Sequence, residues 1–61
     1  MPNITLDGPA VADLEKKRAL VKAITAAASQ YYGLSDEAFV VVIKENRPEN
    51  VGVGGVLVVD R

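Results

Sequence analysis

Sixty-one residues without a cysteine or a histidine exclude disulfides, thiolate metal sites, Ser-His-Asp catalysis and the commonest metal ligand. A net charge of −1, from 7 basic and 8 acidic side chains, lacks the basic excess that nucleic-acid binding requires. A monomer of this length would bury only about 60% of its unfolded surface, and with no metal or disulfide staple, oligomerisation is the expected source of stability.

The chain opens Met1-Pro2, then alternates polar and apolar over Asn3 to Leu6, the pattern of a half-buried strand. Asp7-Gly8-Pro9 reads as its break. Asp13 is placed as a helix N-cap, and with Glu15 it suits the positive end of the helix dipole. From there to Tyr32 the periodicity is helical, with Leu20, Ile24, Ala27 and Tyr31 on one stripe and Val21 and Ala28 beside it. Lys16, Lys17, Lys22 and Gln30 are left to solvent, and the cluster Lys16, Lys17, Arg18 and Lys22 reads as a solvated face. Gly33 suits the left-handed residue that ends a helix.

The run Phe39 to Lys44 ("FVVVIK") is rich in β-branched residues and does not alternate, so it predicts a strand covered on both faces. "ENRPEN" follows as a loop, "VGVGG" (51–55) as a flexible hairpin or bulge whose three glycines supply positive φ, and "VLVV" (56–59) as a last extended segment. The sequence therefore predicts a single α+β domain over residues 1–61, a short β-α-β unit with a C-terminal hairpin. A helix of this length permits a parallel strand pair. One helix covers only one face of a two-stranded sheet, so a second subunit is expected on the other. No run reaches the roughly 20 apolar residues of a membrane span and no secretory signal is visible, which leads to the expectation of a cytoplasmic protein.

Candidate chemistry is reached by elimination. Ser29 and Ser35 have no histidine to activate them. Asp36 and Glu37 resemble a turn or cap, and Glu45 and Glu49 flank a loop as solvated groups. Tyr31 and Tyr32, at the end of an amphipathic helix, read as packing or interface aromatics. "GVGG" lacks the spacing of a phosphate loop. Pro2 is left. Removal of Met1 would expose its secondary amine; α-amino groups have a reference pKa of about 7.7–8.0, and secondary amines sit higher. Burial in an apolar pocket would lower that toward neutrality, where a general base works best.

A chain of this length beginning Met-Pro, with the helical "LVKAI", a strand running into Glu45 and the "VGVGG" hairpin, resembles the 4-oxalocrotonate tautomerase family over essentially its whole length. That family belongs to the tautomerase superfamily, which includes macrophage migration inhibitory factor. The resemblance implies a homohexamer, a trimer of dimers, acting on a small molecule without cofactor or metal. It implies that Pro2 is the general base for enol–keto conversion or a double-bond shift in an unsaturated 2-oxo or 2-hydroxy acid. The family's two carboxylate-gripping arginines fall at Ala12 and Val40 here, and an aromatic at Val51. The nearest replacement cations are Arg47 and Lys44, while Pro9, Val40 and Val51 are expected to line an apolar pocket at subunit contacts. Two other outcomes stand beside this one: a hydratase or dehalogenase of unsaturated acids, or a non-catalytic oligomer of the same fold.

Overall fold

Two strands with unlike faces set the architecture. A computed structural model, describing residues 1–61, runs β1 (Asn3–Pro9), α1 (Leu14–Tyr32), β2 (Val40–Asn46), β3 (Gly52–Val53) and β4 (Val56–Leu57). Single 3-10 turns lie at Asp36–Ala38, Pro48–Asn50 and Val58–Asp60. β1 and β2 pair in parallel, in register from Asn3 opposite Val40 to Pro9 opposite Asn46, and β3 and β4 form an antiparallel pair. This is the expected β-α-β unit with a C-terminal hairpin.

Both helix ends follow the local code. The Asp13 Oδ1 accepts from the backbone N–H of Glu15 at 3.0 Å and of Lys16 at 3.2 Å, satisfying two donors the first turn leaves unpaired. Gly33 terminates α1 at φ 71°, its N–H donating to the Ser29 carbonyl. In the hairpin, Gly54 and Gly55 both take positive φ, 61° and 83°, the pair of left-handed residues a tight two-residue turn needs.

Four details depart from the sequence reading. First, β1 does not break at Asp7-Gly8-Pro9 but runs through all three, against Lys44, Glu45 and Asn46. The ladder explains the tolerance. It begins with Val40 N–H donating to the Pro2 carbonyl, and in a parallel pair alternate residues bond the neighbouring strand. Pro2, Ile4, Leu6 and Gly8 therefore bond toward β2, and the nitrogen of Pro9 faces away, where a missing N–H breaks no bond within the pair. Second, β2 spans Val40–Asn46 and not 39–44; Phe39 closes the preceding turn, its N–H donating to the Asp36 carbonyl. Third, only Val56–Leu57 of the last apolar run is strand; Val58–Asp60 turns away as Val58 N–H bonds the Val51 carbonyl at 2.8 Å.

Fourth, the covered stripe of α1 is Lys17, Val21, Ile24, Thr25, Ala28 and Ser29, whereas Leu20, Ala27 and Tyr31 are exposed. The helix is rotated so that Lys17 faces the sheet. It lies over the side of the sheet carrying Ile4, Leu6, Val41 and Ile43, all half-buried. The opposite side carries Thr5, Val40, Val42 and Lys44 with no cover, and both valines are 43% exposed.

Not one of the 61 residues is fully buried. The chain exposes 4892 Å², against about 3,800 Å² for a compact monomer of its mass. Its Cα radius of gyration is 14.7 Å, against about 10.5 Å for a globular chain of this length. The protomer is a flat plate of 43 × 24 × 13 Å.

Candidate active site

Pro2 stands at the leading edge of the parallel pair. It is half-buried, and its carbonyl is fixed by the Val40 N–H at 3.2 Å. Met1 projects from it, 86% exposed, within reach of a processing peptidase. The pyrrolidine ring is thus held by the first bond of a seven-residue ladder. Val40 is its nearest partner on β2, and the preceding Phe39 packs its ring 5.8 Å from that of Tyr32. Tyr31 and Tyr32 meet edge to face and are both exposed.

The remaining sequence-selected residues gather at the other end. Because the strands are parallel, Pro9 and Lys44 lie toward the C-terminal ends of β1 and β2 and Arg47 just past β2, about 17–23 Å or more from Pro2 at roughly 3.3 Å per residue. A cavity of about 330 Å³ there, between sheet and helix, is lined among others by Leu6, Pro9, Val11, Leu20, Ile43 and Lys44. A second, of about 280 Å³, is bordered by Pro9, Asn46, Pro48, Val51 and Val58. One protomer therefore brings Pro2 to Val40, and Pro9 to Lys44 and Val51, but keeps the two sets apart. Arg47 sits on the surface, 3.8 Å from the Glu49 carboxylate. Nowhere do three or more Asp or Glu side chains converge in a way that could hold a metal ion.

One side chain that sequence reading left in solvent ties together three elements. Glu45 accepts the Val11 N–H on one carboxylate oxygen at 2.8 Å and the Lys17 ammonium on the other at 2.9 Å. Its carboxyl is held below the ordinary value of 4.5, first by the Val11 N–H and then by Lys17. Lys17, read above as solvated, is the other half of this pair. Parity carried the missed signal: Val41, Ile43 and Glu45 alternate along β2, so a Glu in that series points toward the helix. Close by, Asn46 donates its side-chain amide to the Asp7 carboxylate, joining the ends of both strands. Near the start of α1, Arg18 pairs with Glu15 one turn before it, at the surface.

A proline-led strand, one covering helix, a parallel partner strand and a glycine hairpin define the class of 4-oxalocrotonate-tautomerase-like folds. The family model described as Tautomerase enzyme matches residues 2–61, and the chain belongs to that family. Among solved structures it is similar to YwhB, a homologue of 4-oxalocrotonate tautomerase. The two are 33% identical over 98% of each chain, with a TM-score of 0.90. It is 41% identical to DmpI from Archaeoglobus fulgidus over 97% of this chain and 100% of that one, TM-score 0.86. It is also similar to TomN, a 4-oxalocrotonate tautomerase homologue in the tomaymycin biosynthetic pathway, with 35% identity, 98% and 92% coverage and a TM-score of 0.89. No curated protein sequence matches the chain.

Proposed function

We propose that this protein is a cofactor-independent isomerase, a tautomerase in which Pro2, freed by removal of Met1, is the general base. The observation that carries the reading is the position of Pro2: half-buried, next to an exposed Met1, and pinned through its own carbonyl to Val40. A secondary amine set in a strand loses little freedom on engaging substrate, unlike a lysine on four rotatable bonds. For a 2-hydroxydienoate, the amine takes the hydroxyl proton and leaves a dienolate. The resulting prolinium returns a proton to the distal carbon, giving the 2-oxo acid and restoring the base. No electron leaves the substrate, so no redox cofactor enters the balance.

The working unit is a homo-oligomer, with the hexamer, a trimer of dimers, as the family expectation. The separation of Pro2 and Val40 from Pro9, Lys44, Arg47 and Val51 supports this, because a second protomer is needed to bring the two ends together. In that arrangement Pro9, Val40 and Val51 line the pocket, and Lys44 or Arg47 supplies the positive charge that stabilises the dienolate. Ala12 and Val40 offer none.

The test is ketonisation of a phenylpyruvate enol or a 2-hydroxydienoate by protein whose mass shows Met1 removed. Pro2→Ala is expected to keep the assembly and lose most of the rate. An unchanged rate refutes the mechanism, and an inactive mature protein favours the non-catalytic oligomer.

A further inference from the structure

The Glu45 carboxylate spends both oxygens on groups distant in sequence. One holds Val11, in the connection between β1 and α1, and the other holds Lys17, in the second turn of the helix. The connection comprises only Ala10 to Asp13. Its far end is already fixed, because Asp13 caps the helix and its carbonyl accepts the Lys17 N–H at 3.2 Å. Its near end is Pro9, held opposite Asn46 in the ladder. Between these anchors Val11 is 46% exposed, on the wall of the cavity it shares with Leu6, Leu20 and Ile43. The hydrogen bond that ties its backbone to the body of the protein is the one to Glu45.

We propose that Glu45 is a positioning residue: its carboxylate clamps the β1–α1 connection onto the end of β2 and so sets the pocket wall made by Pro9 and Val11. This rests on the tautomerase reading, in which Pro9 lines the substrate pocket. The chemistry fits the task. A carboxylate that accepts both an amide N–H and an ammonium makes two charge-assisted bonds, each stronger than its neutral counterpart. Lys17 and Glu45 are 31% and 28% exposed at their side chains, less screened than a pair standing in open solvent. Both of its oxygens are engaged, by Val11 and Lys17, so the role assigned to it is in binding, through the connection, and not in proton transfer.

Two variants of the assembled, Met1-processed protein separate the contributions. Glu45→Met removes both bonds, and Glu45→Gln keeps a neutral acceptor for Val11. Amide hydrogen exchange at Val11 is expected to rise about tenfold in Glu45→Met and less in Glu45→Gln, following the loss of one bond to a charged acceptor. With the enol substrate, KM is expected to rise in the same order, to about tenfold in Glu45→Met, while kcat stays within about twofold. Should Glu45→Met fail to assemble, Lys17→Met removes one arm of the clamp and is read the same way, with a smaller rise in both quantities.

Val11 exchange unchanged in these variants overturns the clamp. Faster exchange with an unaltered KM overturns its role in substrate binding, as does a fall in kcat alone. Failure of the underlying reading looks different: the wild-type protein then turns over no enol. That result removes the substrate half of the proposal while Val11 exchange still decides whether the clamp exists.

Discussion

Dilution should unfold this protein. The protomer exposes 4892 Å², about 1,100 Å² more than a compact monomer of its mass. If about 55–60% of that excess is apolar, as on protein surfaces generally, roughly 600 Å² of apolar surface lacks cover. At about 25 cal/mol per Å², covering it is worth about 15 kcal/mol. A 61-residue domain is stable by only about 3–9 kcal/mol in total, so the plate has no reserve from which to forgo this burial. Folding and assembly are then expected to be one transition.

The measurable consequence is a melting temperature that depends on protein concentration. For a hexamer unfolding directly to chains, mass action removes about 1 kcal/mol per protomer for each tenfold dilution. At about 2.1 cal/mol/K of unfolding entropy per residue, that is a fall of about 8 °C in Tm. Circular dichroism melts across a hundredfold dilution, paired with sedimentation at the same concentrations, test it. A folded monomer by sedimentation, melting at the same temperature throughout, would refute the reasoning. It would mean that the open valine face and the thin core suffice alone.

Three further expectations are independent of that one. Intact mass of protein from its native source should lack one methionine residue, and blocking that removal should abolish turnover as completely as Pro2→Ala, whose expected loss is about 10²- to 10⁴-fold in kcat. Acid should destabilise the assembly through Glu45. Its folded pKa lies below the ordinary 4.5, so its contribution is present above the unfolded value and is lost as pH falls through the folded one; Lys17 faces it from α1, while Asp7, Lys16 and Lys44 share the same cavity. Tm should therefore drop from about pH 4.5 downward, less steeply in Glu45→Gln than in wild type, and parallel acid limbs would count against the assignment. Asp13→Ala should cost about 1 kcal/mol, read as a lower Tm at fixed concentration, because two N–H groups lose their acceptor.

What could be read without coordinates was whatever is decided within a few residues. The Asp13 cap and the Gly33 stop are local choices, and each lies where the sequence placed it; of the three hairpin glycines, Gly54 and Gly55 take the positive φ and Gly52 does not. The first strand's end is decided by a partner 37 residues away. Asp-Gly-Pro breaks strands on average, yet here the neighbouring β2 offers bonds on the side where Pro9 needs none. The helix stripe was displaced for a related reason. Val21, Ile24 and Ala28 compete with Leu20, Ala27 and Tyr31 for one wide apolar arc, and the Lys17–Glu45 pair turns the former group inward. That pair was hidden because charges near a loop read as solvated unless strand parity is followed to the end.

Charge and distance together define the harder part of the chemistry. A dienolate needs a cation close to the oxygen that gains charge. Within one protomer the sheet offers Pro2 only Lys44, level with Asp7 and five ladder positions away, or about 17 Å along the strand. Arg47 lies farther still. At that distance, across solvent, a cation is separated from the reacting oxygen by more than a screening length. On the proposed mechanism, a proline at one end of the plate with Lys44 and Arg47 at the other makes an inert monomer, and activity is expected to vanish on dilution together with the fold. Mixing inactive Pro2→Ala with inactive Lys44→Gln, Arg47→Gln double-variant chains should restore part of the rate if base and cation meet across a subunit boundary. Mixed assemblies that stay inactive would place both groups of the working site in the same chain, against the separation seen here.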